Sequence, residues 1–406
     1  MRLNPFRAVR PDPALAPRVA SVPYDVVSRE EAAELARDNP HSFLHVGRSD
    51  IDLPADTDPH DDRVYTRARE ALDELIRTGT LVRDPHPGLY LYRQEMEGRV
   101  QTGVVGCVHI DDYERDVIRK HEKTRQDKED DRTRHVLTLN ANAEPVFLTY
   151  RGRPEIGDLA RTISQSAPLY DFTAPDGVRH TVWRIPDARA FVAAFAEVPH
   201  AYVADGHHRS ASAWRAGREL RAKRPRGEAE YEWFLAVLFP AEELRILPYN
   251  RVVKDLNGLS ASQALARLAR AGEVTITSDP IPPGPGTFCF YLTGEWYRLT
   301  LDPATIDRSD PIASLDVSLL QDRVLGPIFG IGDPRTDRRI DFVGGIRGTA
   351  ELERRVDSGE MAIAFSLHPT TVDQLMAVSD AGQIMPPKST WFEPKLRSGL
   401  FVHELD

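Results

Sequence analysis

The stretch AYVADGHHRSASAW, Ala201 to Trp214, forces a sharp local decision on the backbone. An apolar run of strand length ends in Asp-Gly, and an alanine-rich, helix-favouring segment begins at once. The pattern predicts a buried strand that turns directly into a helix at the edge of a sheet. The first N–H groups of such a helix lack intrahelical partners, so its start attracts anions. His207, His208 and Arg209 in the first turn add donors and charge, and a guanidinium can grip a phosphate through two parallel hydrogen bonds. The competing reading is local: Asp205 caps the helix and the histidine pair is its solvated start.

A chain of 406 residues has room for two to three domains and a sizeable core. Hydrophobic residues make up 41% and charged residues 28%, enough apolar surface to fold and too little single-sign bias for disorder. Acids outnumber bases by 62 to 52, a net charge of -10, which disfavours duplex nucleic acid as the main partner. Cys107 and Cys289 sit in apolar strand-like runs without metal-ligand spacing and read as reduced core thiols. Prolines and arginines interrupt MRLNPFRAVRPDPALAP before an apolar run of signal length, and Phe234–Phe239 is far too short to span a membrane. A cytoplasmic location is the expectation.

Tyr65, Ala68, Ala71, Leu72, Leu75 and Ile76 fall at helical spacing after the acidic loop 51–63. Strand signals follow at Gly88–Tyr92, Gly103–Ile110 and Glu144–Tyr150, with a hairpin turn expected at Glu95–Arg99. The charged stretch from Asp127 predicts a helix whose polar first turn gives way to Val136, Leu137 and Leu139. A basic and acidic loop is expected at 222–232, then a strand over Trp233–Phe239. The link SDPIPPGPGTF, Ser278–Phe288, marks the expected flexible boundary, beyond which strands such as Thr287–Leu292 alternate with helices such as Thr371–Val378. This order fits an α+β architecture with a mixed sheet. The expected domains are a segment over 1–84, a core over 85–277 and an α/β domain over 278–406.

Two further polar clusters stand beside the Asp205–Arg209 block. One is Arg119-Lys120-His121-Glu122-Lys123-Thr124, and the other is Pro386-Pro387-Lys388-Ser389-Thr390, stiffened by its prolines. Each pairs with a plain alternative, a solvated charged face or a rigid surface loop. Together they hold what phosphoryl transfer asks of a protein: groups that clamp phosphates, often with Mg²⁺, and a carboxylate that orients and deprotonates a hydroxyl. Glu122 and Asp205 are the carboxylates, one for proton abstraction and one for the metal. No G-x-x-x-x-G-K-[ST] or dinucleotide fingerprint is present, and neither H-E-x-x-H nor paired cysteines support zinc.

The successive motifs PYDVVSREEA (23–33), LYLYRQE (89–95), RKHEKTRQDKEDDR (119–132), EPVFLTY (144–150), ADGHHRSASA (204–213) and MPPKSTWFEPKLRSGL (385–400) resemble the family called domain of unknown function 1015 over nearly the whole chain. A subset, His121-Glu122, Asp205–Arg209 and Pro387-Lys388-Ser389-Thr390, also looks like the free serine kinases, whose catalytic domain is ParB/sulfiredoxin-like. That resemblance implies a ParB/sulfiredoxin-like core with additional N- and C-terminal α/β elements, the latter carrying the PPKST loop. It implies that Glu122 is the base on the serine hydroxyl. Asp205, Gly206, His207, His208 and Arg209 become the phosphate and metal end, with His121 beside them, and Lys388, Ser389 and Thr390 a further phosphate contact. Asp25 and Tyr24 in a covering segment, with Lys123 and Thr124, fall on the substrate side.

The expected activity is phosphorylation of free L-serine by ATP, ADP or pyrophosphate with Mg²⁺. A nucleotide-binding sensor without turnover, or dephosphorylation of phosphoserine, are the alternatives. Sulfiredoxin chemistry is disfavoured because His207 stands where that branch needs a cysteine. DNA partitioning is disfavoured by the net charge and the lack of a helix-turn-helix pattern.

Overall fold

Alternation of β-branched and aromatic residues with glycine-bounded turns builds the first sheet. The Tyr90–Met96 and Arg99–His109 strands pair antiparallel across a two-residue turn in which Glu97 and Gly98 both take positive φ, 52° and 74°, as a tight hairpin turn demands. The computed structural model describes residues 1–224 and 229–406; part of the expected 222–232 loop therefore lies outside the described residues. Two compact units are formed, Met1–Leu244 with Pro394–Asp406, and Arg245–Glu393.

The first unit is built on a nine-stranded mixed sheet. Its path runs 118–119, 201–205, 146–150, 233–240, 99–109, 90–96, 179–184 and 170–173, with Leu3–Asn4 added on the 99–109 strand. The 233–240 strand lies parallel to 146–150 and antiparallel to 99–109, so the sheet is mixed, as an α+β reading requires. Helices over Pro154–Ile163 and Arg189–Ala196 cover an apolar core that includes Leu91, Val104, Leu148, Phe195, Val203 and Leu238. The expected helices appear as Asp62–Arg77 and Gln126–Leu139, the second stopped by left-handed Asn140 at φ 50°. Residues 394–406 return to this unit, where Val402–Glu404 pairs with both Ala8–Pro11 and Ala141–Asn142.

The second unit holds a six-stranded antiparallel sheet in the order 273–276, 295–300, 287–292, 363–367, 249–253 and 340–344. Its core joins Phe288, Phe290, Leu320, Val324, Phe329 and Phe365. The Pro/Gly-rich stretch 278–288 lies inside this unit, where it joins two strands of one sheet. Breaks in the compact packing fall at Leu244 and Glu393 instead, because the 249–253 strand is hydrogen-bonded into the same sheet as Thr287–Leu292 through 363–367. Cys107 and Cys289 are both free and buried, as their apolar runs imply. Among the described residues no helix is long and apolar enough to cross a membrane.

Candidate functional site

Sheet topology brings the distant motifs of the first unit to one edge. The Ala201–Asp205 strand lies parallel to Ile118–Arg119, with Tyr202 opposite Arg119, so both chains leave the sheet in the same direction. His121 and Glu122 follow one strand, and Gly206 and His207 follow the other. Their imidazoles, His121 and His207, meet edge to face with ring centres 4.4 Å apart, and Nδ1 of His207 lies 3.7 Å from a Glu122 carboxylate oxygen. The Val146–Tyr150 strand runs antiparallel with Phe147 opposite Asp205, so Glu144 and Pro145 approach the same edge.

Asp205 does not cap the helix His207–Lys223. Gly206 holds that position at φ 88°, and no side chain caps the N-terminus. A Cβ on Gly206 would meet Nε of Arg209 at 3.0 Å and its Cζ at 3.1 Å, so the glycine makes room for a guanidinium. Nη1 of Arg209 donates to the Pro145 carbonyl at 2.7 Å, and Nη2 donates to Asp205 at 3.1 Å and lies 3.8 Å from Asp25. The fork expected to face a phosphate is thus turned onto protein acceptors, while its buried Nε has no partner.

Charges around this guanidinium set the protonation states. Burial alone disfavours the Arg209 cation, but Asp25, Asp205, Glu144 and Tyr24 outweigh it and hold its pKa above the usual value. Burial pushes the Asp205 carboxyl up; the charges of Lys395, whose Nζ lies 3.8 Å away, and Arg209 more than reverse this and keep it below the ordinary carboxylate range. Burial raises Glu144 despite Arg209, and Ser398 donates a hydrogen bond of 3.0 Å to it. Desolvation lowers His207 to about 3 and His121 well below its ordinary value, so both imidazoles are neutral at pH 7. His207 therefore leaves the charge on Glu122 intact, and its own buried Nε2 has no hydrogen-bond partner.

Of the residues singled out from sequence, Asp25, His121, Glu122, Asp205, Gly206, His207 and Arg209 come together here. Tyr24 stacks beneath the Arg132 guanidinium at 4.3 Å, and burial raises its pKa. His208 accepts the Arg125 amide N–H at 3.1 Å, and burial lowers its pKa. Lys123 is exposed, and the Thr124 hydroxyl donates to Glu129. Lys388, Ser389 and Thr390 belong to the second unit: Lys388 is exposed with φ 56°, Ser389 donates to the Pro386 carbonyl at 2.6 Å, and Thr390 is half-buried. Lys395, Glu144, Arg132 and Ser398 are the residues that sequence reasoning did not assign. All four stand inside the motifs quoted above: Arg132 ends RKHEKTRQDKEDDR, Glu144 heads EPVFLTY, and Lys395 and Ser398 lie in FEPKLRSGL.

The family model described as "Protein of unknown function (DUF1015)" matches residues 3–318. The chain belongs to this family. No curated protein matches this DUF1015 chain significantly. Among solved structures, it is similar to a free serine kinase in complex with AMP at 13% identity and TM-score 0.36, over 74% of this chain and 91% of that one. It is also similar to a conserved hypothetical protein from Pyrococcus furiosus at 15% identity and TM-score 0.35, over 74% and 95% of the two chains. C-terminally truncated SbnI from Staphylococcus aureus gives 11% identity and TM-score 0.35, over 74% and 87%.

Proposed function

We propose that the protein is a small-molecule kinase that transfers a phosphoryl group from ATP, ADP or pyrophosphate to the hydroxyl of free L-serine, with the first unit as a ParB/sulfiredoxin-like catalytic core. The observation that carries this reading is the convergence of Asp25, Glu122, Asp205, His207 and Lys395, from four separate motifs, at one sheet edge. Phosphoryl transfer needs positioning and charge more than covalent help, and these groups supply both.

In this reading Glu122 takes the proton from the serine hydroxyl as oxygen attacks the terminal phosphorus, and the bond to the departing phosphate breaks. Neutral His207 beside it raises no competing positive charge, and Nε2 in its protonated tautomer can donate to a phosphate oxygen. The uncapped start of the His207–Lys223 helix offers backbone N–H groups to the same anion. Asp25 meets the serine ammonium, and Arg209 holds Asp25 and Asp205 in register. His208, Lys123 and Thr124 border the site, while the loop that carries Lys388, Ser389 and Thr390 is a further phosphate-binding element of the second unit, with Lys388 as its charge.

Magnesium fits Asp205, an ionised carboxylate at the phosphate end. Among the described residues no group of three His, Cys, Asp or Glu side chains is arranged to hold a metal. Mg²⁺ commonly keeps waters and substrate phosphates in its shell with only one or two protein carboxylates. When bound it would neutralise charge on the donor phosphates.

The test is to incubate the protein with L-serine, Mg²⁺ and each donor in turn and to detect O-phospho-L-serine by mass spectrometry. Product with one donor identifies that donor. Tight nucleotide binding without product from any donor replaces the kinase by the sensor, and phosphate release from phosphoserine alone replaces it by the reverse chemistry.

A further inference from the structure

Arg251 is the one arginine of the second unit's central strands that is buried with carbonyl partners in place of carboxylates. It stands on the Tyr249–Val253 strand, hydrogen-bonded on both sides by neighbouring strands, and is 4% exposed. Its Nη1 donates to the Tyr249 carbonyl at 2.5 Å, and its Nη2 donates to the carbonyls of Lys388 at 2.9 Å and Pro387 at 3.3 Å. The guanidinium lies 4.6 Å from the centre of the Phe342 ring. Burial lowers its pKa to about 9, which leaves it cationic at neutral pH. A buried cation without an acid is costly, and its retention calls for a reason.

The loop it holds supplies that reason. Lys388 takes φ 56°, a left-handed conformation that a lysine adopts only at a cost and that places it like the third residue of a type II turn behind Pro387. The Ser389 hydroxyl closes the turn on the Pro386 carbonyl, and Thr370 donates to the Ser389 carbonyl at 3.0 Å. The hydroxyl of Ser389 is therefore committed inside the loop. The Lys388 side chain is exposed, and its ammonium lies 5.7 Å from the centre of the Tyr249 ring. Strained residues that are held by their surroundings and carry an exposed charge are a mark of ligand contacts.

We propose that Arg251 is a positioning residue that locks the Pro386–Ser389 turn and so presents Lys388 to a phosphate group, its own positive charge reinforcing the site. The phosphate is contacted by the Lys388 ammonium and not by the Ser389 hydroxyl. That Arg251 builds an anion site within the second unit does not rest on the kinase reading.

Hydrogen exchange of the full chain, followed by mass spectrometry with inorganic pyrophosphate or ATP added, tests the inference. Peptides covering 386–390 should gain protection in the wild type. In Arg251→Met the concentration for half-protection should rise about tenfold, because the planar fork is lost, while peptides over 287–292 and 363–367 keep their wild-type exchange. Arg251→Lys should restore only part of the affinity. If Arg251→Met disturbs the sheet peptides, Lys388→Gln replaces it, since it leaves the carbonyl bonds of Arg251 in place and should weaken protection with a reduced dependence on ionic strength.

Protection at 386–390 without any phosphoserine would keep this site and remove the kinase. Phosphoserine formation with no protection there, or protection insensitive to Arg251 and Lys388, would overturn the site and leave the kinase standing.

Discussion

The two units bury charge in opposite ways. In the first, Asp25, Asp205, Glu144, Arg209, Lys395 and two neutral histidines share one edge of a mixed sheet, each held near a partner of opposite charge or hydrogen-bonding capacity. In the second, the antiparallel sheet packs a largely apolar core, and its buried charged side chains, Arg251, Asp316 and Arg355, stand apart from one another in the sequence and answer to different neighbours. Of the thirteen histidines only His368 lies in the second unit. A cluster of buried, mutually compensating groups lowers stability unless every member is satisfied, and its presence is why the proposed chemistry is assigned to the first unit.

The largest effect should come from removing the proposed base. Glu122→Gln keeps size and hydrogen-bonding capacity, so folding and donor binding should persist while serine phosphorylation slows by ~10²–10⁴. Turnover at the wild-type rate would make Glu122 a surface glutamate and dissolve the contrast between the units.

Acid should separate the units next. His121, His135, His180 and His207 all lie in the first unit, and burial lowers the last three to about 3. Each of these three binds fewer protons folded than unfolded between about 3 and the ordinary 6.5. Their stabilising contribution is complete above 6.5 and is lost as pH falls towards 3, by up to about 1.4 kcal/mol per pH unit for each histidine. Urea titrations read peptide by peptide through pulse proteolysis should show the first unit weakening below pH 6.5. A pH-independent midpoint for its peptides would count against neutral buried imidazoles.

Gly206 ties the motif to its geometry. Gly206→Ala places a Cβ at φ 88° and 3.0 Å from a guanidinium that Pro145 and Asp205 hold in place. A loss of roughly 1–3 kcal/mol is expected from the backbone strain, with activity falling further as Arg209 moves off Asp205. Wild-type melting and activity in this variant would mean that the glycine is needed for neither.

Local features of this architecture were legible in the sequence, and long-range ones were not. Gly98 announced the hairpin, because a tight turn between two strands needs a residue free to take positive φ, and the 3.6-residue spacing of Tyr65 to Leu75 announced its helix. The pairing of Ile118–Arg119 with Ala201–Asp205, which puts Glu122 beside His207, joins segments with no mutual signal in the chain. Lys395 was hidden for the same reason: nothing around it tells that 394–406 returns to the first unit, where its carbonyl accepts from Gln94 at 2.8 Å. The 278–288 stretch misled because prolines and glycines shape a wide connection between two strands of one sheet as readily as a linker between domains. Asp205 looked like a cap since Asp so often is one, but here Arg209 and Lys395 draw its carboxylate away from the helix start.

The smallest effect belongs to the second unit and carries the opposite sign. Asp316 accepts the Gly286 amide N–H at 2.8 Å through one oxygen, while its other oxygen is buried without a partner. Burial raises its pKa to about 6, against an ordinary 3.8. The folded state therefore holds the proton more tightly than the unfolded one, so the stability linked to Asp316 is complete below 3.8 and is lost as pH rises through about 6. In the first unit the same rise in pH adds stability. Asp316→Asn keeps the acceptor for Gly286 and removes the buried charge, at the cost of an amide nitrogen where no acceptor waits. A gain of about 1 kcal/mol at pH 7 is expected, shrinking to nothing or reversing near pH 4, where the wild-type carboxyl is already protonated. Pulse proteolysis at pH 4 and pH 7 on peptides over 287–292 reads this directly. An equal effect at both pH values would show that packing, and not charge, governs position 316, and that the two units do not differ in the sign of their response to pH.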